Sequence, residues 1–563
     1  MPAGSHPGSR SLIGVDVGST HIRAALVTPE SGVIHVALRA TETHAVRGGG
    51  AFHRPSEILA SVSSAIAECV AAAVSSIGQK PAAIGIASMA ESGVPIDRRR
   101  APVGDILAWH DPRPERQAAW LERQIGAASL FARTGLRPDP KYTLPKLLWL
   151  REHKAADFTR LRRWAGVAEL VALDLTGQLG TNASLACRTL AFDVTLRAWD
   201  AELLGLASLT PEEMPTVLPL GQAVGGLTAE AATRLGLPAG TPVVVAGHDH
   251  LAGAIGAGVT KVGDVLDSMG SAEATMLVTA APTLTEEVRR SGFSTGCHAV
   301  DGLAYVSGGL QSSGALVEWF IETFLPGVEG RAVGEGGAGA GAGGAGGVGK
   351  TGLGVGKTGS GVGKTGSGDA PDGAREALGG DNGSDRYARF IALLERAGSG
   401  PVAPIVLPYL RGRTAPHHDP SATLEIEGLR ETHGLPDLAA AMVDGAAYHV
   451  RWMLDELARI TETRLDRVKL TGGGSRNRRW VTAKAALGPG RLEVVRTGEA
   501  AALGAALVAG IAGGVYGSVA DALTDASPFD RATVSATIRA RYDAAYLDRW
   551  LPAVVTRLRQ SGI

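Results

Sequence analysis

From Ser11 the chain alternates short apolar runs with glycine-bearing turns. Leu12–Val17 predicts a strand, Gly18-Ser19-Thr20 a turn, Ile22–Thr28 a second strand and Val33–Leu38 a third, together an antiparallel meander. Ser56–Ile77 follows with Ile58, Leu59, Val62, Ile66 and Val70 at helical spacing on one face. Ala83–Ser88 reads as a short buried strand, and Pro114–Gln124, Leu144–His153 and Trp164–Leu175 as helices. A second strand–turn–strand unit begins near Val262: Val265–Met269, the turn at Gly270-Ser271, then Ala274–Thr279. It repeats the opening unit about 250 residues on, and each run after the Gly-Ser turn ends Leu-Val-Thr. Two related domains are expected.

Val333–Asp385 breaks this pattern with glycine-rich repeats that offer too little apolar surface to offset chain entropy, so a disordered surface loop is expected there. Gly344–Thr351 inside it satisfies the spacing of a phosphate-binding P-loop. A working P-loop needs a strand before it and a helix after it, and neither flank is predicted. The fold resumes with a helix near Tyr387 and a strand over Pro404–Leu410. A long helix over Leu438–Ile460 and a strand over Arg467–Leu470 follow, the strand entering Gly472-Gly473-Gly474. Ala532–Gln560 reads as one or two helices. Ala500–Ala520 carries no charge and is long enough to span a bilayer, but alanine and glycine dominate it, so a tightly packed internal helix ending near Gly513 is expected. The expected division is a disordered tail over 1–10, an N-terminal domain over 11–257, a C-terminal domain over 258–515 with the insertion 333–385, and a helical segment over 516–563.

Composition narrows the function classes. The chain has 563 residues, 45% of them hydrophobic and 20% charged, which suits a soluble protein of two large domains. A net charge of −1 provides no field for nucleic acid or an anionic membrane, and 5% aromatics leave few stacking platforms. Three scattered cysteines and an N-terminus without an apolar leader point to a reducing, cytoplasmic setting. The sequence leaves a homodimer open.

Three segments carry chemistry. Asp16 to Arg23 surrounds a hairpin tip where glycine lets the backbone approach a phosphate, Ser19 and Thr20 donate to its oxygens, Arg23 neutralises charge and Asp16 offers a ligand for Mg²⁺. An ordinary Gly/Ser turn is the competing reading. Val243–Gly247 is a buried strand that delivers His248-Asp249-His250. Asp249 at its tip suits the carboxylate that orients a hydroxyl and accepts its proton in phosphoryl transfer. A metal site made from these three residues competes, but strand alternation is expected to turn Asp249 away from both histidines. A helix N-cap at Asp249 is compatible with catalysis. Gly472-Gly473-Gly474 gives a flat nucleoside room against backbone, and Asn477 follows it.

In this order the motifs resemble the FGGY carbohydrate kinases, the glycerol kinase and xylulokinase group, from about Leu12 to Tyr546. Trp109-His110-Asp111-Pro112-Arg113, Leu175-Thr176-Gly177, Leu407-Pro408-Tyr409-Leu410, Gly412–His417 with Asp419-Pro420, Gly504-Ala505-Ala506, Tyr542 and Tyr546 extend the resemblance. It implies an α/β fold of two ribonuclease H-like, actin-like ATPase domains with a cleft between them, and ATP with Mg²⁺ as cosubstrate and cofactor. It places Ser19, Thr20, His21 and Arg23 at the ATP phosphates, with Gly270 and Ser271 as the second phosphate loop. Gly314 and Glu318 fall on the nucleotide side, Gly473 and Asn477 at the adenosine, and Asp249 is the general base. Ala90, Glu91, Lys141 and His250 fall on the sugar side. Ala90 lacks a hydrogen-bonding head, Glu91 retains an acceptor, and Lys141 reads as a solvated rim charge or as a contact to an acid-bearing sugar. The implied activity is phosphorylation of a small sugar or polyol, a xylulose-like ketose favoured. A catalytically silent ATP- and sugar-binding sensor on the same fold is the alternative.

Overall fold

The meander and the second strand–turn–strand unit found in the sequence seed two sheets with the same strand order. The computed structural model describes residues 11–46, 49–325, 382–525 and 528–560. In the first lobe, β1 (Leu12–Val17), β2 (His21–Thr28) and β3 (Gly32–Ala40) run antiparallel. Two crossovers then bring β4 (Ile84–Ser88) parallel to β1 and β5 (Pro242–His248) parallel to β4. In the second lobe, β6 (Asp264–Met269), β7 (Glu273–Thr279) and β8 (Ala304–Leu310) repeat the meander. There β9 (Arg467–Thr471) lies parallel to β6 and β10 (Arg491–Val495) parallel to β9. Both sheets therefore read meander strands three, two, one, then the two parallel strands. This duplication is the ribonuclease H-like pair of an actin-like ATPase fold.

Helices cover the sheets where their apolar stripes demand it. In the first lobe, α1 (Pro55–Ile77) is long and apolar enough to cross a membrane by composition. Its Ile58, Val62, Ile66 and Val70 are instead buried in the core formed with β1, β2 and β4. α2 (Val167–Thr176) packs beside β5, and α3 (Asp249–Gly256) starts where β5 ends. In the second lobe, α4 (Ser313–Phe324), α5 (Leu435–Thr461) and α6 (Arg478–Leu487) surround the sheet. α7 (Ala500–Ala512) crosses back and lies on the first sheet and on α3. Its alanine and glycine content has a steric cause. A Cβ on Gly14 would stand 1.8 Å from the Ala502 carbonyl oxygen, and one on Gly504 1.9 Å from that of Ala252. The helix ends at Gly513 as an internal, buried element.

Several expectations need correction. Trp164 and Ala165 belong to a short strand, Arg163–Gly166, which pairs with Gly93–Ile96 before α2 begins. The helix expected near Tyr387 spans Asn382–Arg396, so it starts inside the segment assigned to the loop. The 516–563 segment is not all helical, because Phe529–Ala532 adds an antiparallel edge strand to β10. The tail 1–10 and the P-loop-like Gly344–Thr351 lie outside the described residues.

Candidate active site

Asp249 reaches the interlobe cleft through an irregularity in β5. The pairing of β5 with β4 slips between Val245 and Gly247, and Gly247 adopts a φ of 128°. Its Cα is packed so tightly that a Cβ would lie 2.4 Å from the Ser184 hydroxyl oxygen, while that hydroxyl accepts from the His248 amide at 3.1 Å. A bulge of this kind re-aims the residues that follow it.

The chain turns helical at Asp249, which ends the strand alternation and overturns the expectation that Asp249 points away from its neighbours. Its Oδ1 lies 3.0 Å from His248 Nε2 and 4.0 Å from His250 Nε2, and accepts from the His250 amide at 2.6 Å. The two imidazoles stack with centroids 5.2 Å apart. His248, not Asp249, is the N-cap residue of α3. Among the described residues no group of three or more His, Cys, Asp or Glu side chains is arranged to hold a metal.

Around Asp249 a cavity of about 310 Å³ draws on both lobes. The first lobe contributes Ser19, Ala90, Glu91, Trp109, Lys141, Arg188 and His250; the second contributes Ala274, Thr275, Ser294, Tyr305 and Ser307. Glu91 has a φ of 62°, a left-handed conformation that costs a non-glycine residue energy. Two cations hold it there: Arg188 pairs with its carboxylate at 2.6 Å, and the buried Lys146 donates to its carbonyl at 2.7 Å. Lys141 is a half-buried wall of the cavity, 3.4 Å from Asp139, and not a free rim charge.

Electrostatics set Asp249 apart from Asp16. Burial works to raise the Asp249 pKa, but the neighbouring His248 and His250 outweigh it and hold the group at about 2. Asp16 goes the other way: burial, reinforced by Asp249, lifts its pKa to about 7. The Asp16 Oδ1 atom is buried with no hydrogen-bond partner. An orphaned carboxylate oxygen beside the first hairpin fits Mg²⁺, which takes one or two carboxylates plus phosphate oxygens and keeps several waters.

A second cavity, about 210 Å³, joins most of the expected nucleotide-side residues: Gly270, Ser271, Gly314, Glu318 and Gly473, with Trp480 beside them. Gly314 is required there, since a Cβ would lie 2.6 Å from the Gly270 carbonyl oxygen. Asn477 is not in that wall; it is buried and its side chain caps α6 by accepting from the Trp480 amide at 3.1 Å. At the first hairpin, Ser19 faces the Asp249 cavity and His21 Nδ1 lies 3.2 Å from the Thr20 hydroxyl. Arg23 is engaged by Glu499 at 3.3 Å, just before α7. Sequence reasoning missed Arg188, Lys146 and Tyr305, none of which stands in a motif. It also missed Lys484, a buried cation bonded to Asp267 at 2.5 Å and to Glu273 beneath the second hairpin.

Residues 11–256 match the model for the FGGY family of carbohydrate kinases, N-terminal domain, and residues 266–513 match the model for its C-terminal domain. Xylulose kinase of Escherichia coli (strain K12) is 23% identical over 75% of this chain and 74% of its own length. Gluconokinase of Bacillus licheniformis is 22% identical over 88% of this chain and 86% of its own. Among solved structures, xylulose kinase from Rhodospirillum rubrum superposes with a TM-score of 0.80 at 24% identity, covering 98% of this chain and 99% of that one. Gluconate kinase from Lactobacillus acidophilus gives 0.79 at 18% identity, covering 98% of each. With both halves of the family matched in order on two lobes that enclose Asp249, this chain belongs to the FGGY family of carbohydrate kinases.

Proposed function

We propose that this carbohydrate kinase transfers the terminal phosphoryl group of ATP to a hydroxyl of a small polyhydroxylated substrate bound beside Asp249. The observation that carries this reading is the Asp249 carboxylate, flanked by His248 and His250 in a cavity walled by both lobes and next to Ser19 of the first hairpin. In a loose phosphoryl-transfer transition state the nucleophile needs positioning more than strong deprotonation. A carboxylate of low pKa is suited to that: it stays charged, accepts a hydrogen bond from the substrate hydroxyl, and takes the proton late. Glu91, locked by Arg188, presents a fixed acceptor to neighbouring hydroxyls. Mg²⁺ held at Asp16 would neutralise phosphate charge. The nucleoside would occupy the cavity at Gly270, Ser271, Gly314 and Gly473, and the Gly256/Gly504 contact between α3 and α7 gives the lobes a tight axis for closure. Curated relatives include both xylulose kinases and gluconokinases, so the substrate class spans neutral ketoses and sugar acids.

The test is ADP release across pentoses, hexoses, ketoses, polyols and aldonates with the wild type and Asp249→Asn. Loss of a positioned proton acceptor is expected to lower kcat by about 10²–10⁴-fold with nucleotide binding retained. Equal turnover by the variant on the best substrate refutes the role of Asp249. ATP binding without ADP release from any substrate would indicate a silent sensor.

A further inference from the structure

The Asp249 cavity does not end at the sugar-side residues. A second chamber of about 590 Å³ adjoins it, with Lys141, Arg188, Ala274, Ser294 and Ser307 as shared walls. The second chamber is lined by Arg137, Lys141, Arg188 and Arg289, with Glu122, Asp139 and Glu273 as its carboxylates. Their pairing is uneven. Arg188 is matched by Glu91 at 2.6 Å, Lys141 by Asp139 at 3.4 Å and Arg289 by Glu286 at 2.5 Å. Glu273 is neutralised from below by Lys484, and Glu122 is exposed to solvent. Arg137 has no carboxylate within 4.0 Å among the described residues; its guanidinium donates to the Gly292 carbonyl at 3.3 Å. It is half-buried, and burial pulls its pKa down. A partly desolvated guanidinium with donors to spare is a site for a planar anion.

We propose that the substrate carries a carboxylate at the end remote from the phosphorylated hydroxyl, and that Arg137, assisted by Lys141, binds it. The substrate class is then an open-chain sugar acid, with its reacting hydroxyl at Asp249 and its carboxylate in the second chamber. One guanidinium that feels Asp139 but forms no ion pair of its own, beside a lysine already paired with that carboxylate, matches a singly charged group better than a phosphate dianion. This assignment rests on Asp249 marking the phosphoryl-accepting end.

The test pairs xylonate and gluconate with xylitol and glucitol, the same carbon chains without the carboxylate, and adds xylulose. Binding is measured by calorimetry and turnover by ADP release, for the wild type, Arg137→Gln and Arg137→Lys. One charge-assisted bond predicts about 10- to 100-fold higher kcat/KM for an aldonate than for its alditol. Arg137→Gln is expected to abolish that preference by raising the aldonate KM, and Arg137→Lys to restore part of it. The inference is overturned if alditols or xylulose match the aldonates, if Arg137→Gln leaves the aldonate KM unchanged, or if it shifts the KM for ATP instead. Absence of aldonate binding overturns it whatever else binds. Aldonate binding lost on Arg137→Gln, without wild-type turnover of any substrate, would support the carboxylate site and refute the kinase role of Asp249, so the two readings fail separately.

Discussion

Replacing Asp16 by Asn is expected to stabilise the ligand-free protein at alkaline pH while removing its activity. The Asp16 Oδ1 atom is buried without a donor. Burial, with Asp249 and Glu499 adding repulsion that outweighs Arg23, lifts the pKa from 3.8 to about 7. A raised folded-state pKa favours the fold fully below the unfolded value, and that contribution is lost as pH climbs through the folded one. Each unit corresponds to ~1.36 kcal/mol, so the ionised group costs up to roughly 4 kcal/mol above neutrality. Asp16 as a residue is only partly buried, so screening leaves about 2–3 kcal/mol. At pH 5 the folded protein still holds most of its proton on Asp16, and only about a third of the cost has developed. Asn fills the same volume without charge. Scanning calorimetry in EDTA, without nucleotide, should therefore show the Asp16→Asn Tm raised by roughly 2–6 °C at pH 8, the upper end if the first lobe unfolds by itself, and by less than half as much at pH 5. The kcat should collapse if Asp16 is the carboxylate that holds Mg²⁺, as proposed above. An equal gain at both pH values, or a lower Tm at pH 8, refutes the picture of a carboxylate held at a cost for its ligand.

Much of the architecture was legible because most meander strands are short, mainly apolar runs set off by glycine turns, a signal that survives without tertiary context. Asp249 was legible for the same reason, as the acid following a buried strand. Its partners were not. The bulge at Ala246-Gly247 and the immediate start of α3 replace strand alternation by helical geometry over three residues, and that swings His248 and His250 onto one carboxylate. Arg188 escaped notice because its meaning lies in Glu91, 97 residues away in sequence. Phe529–Ala532 escaped because it is mostly exposed and polar, so no hydrophobic period announces an edge strand. The ion pair of Arg23 with Glu499 escaped because Glu499 is brought in by α7 from the far end of the chain.

Lys484→Met should cost about 3–5 kcal/mol, since it leaves the buried Asp267 and Glu273 carboxylates facing one another without their cation. An unfolding free energy from urea titration within about 1 kcal/mol of wild type would contradict that assignment. Gly504→Ala tests whether closeness between α3 and α7 sets the position of Asp249. The added Cβ would sit 1.9 Å from the Ala252 carbonyl oxygen and 2.8 Å from the Gly256 nitrogen, backbone atoms that no rotamer change can relieve. The helices must move apart, at a cost of about 1–3 kcal/mol or more. Because α3 begins at Asp249, the displacement reaches the carboxylate itself and should lower kcat beyond what the stability loss explains. Gly205→Ala is the control, for nothing lies within 4 Å of its Cβ position. In the exposed helix Ala201–Leu206 it should be neutral or stabilising by up to about 1 kcal/mol. Were Gly504→Ala to behave like Gly205→Ala in both Tm and kcat, the contact between α3 and α7 would have no part in aligning the site.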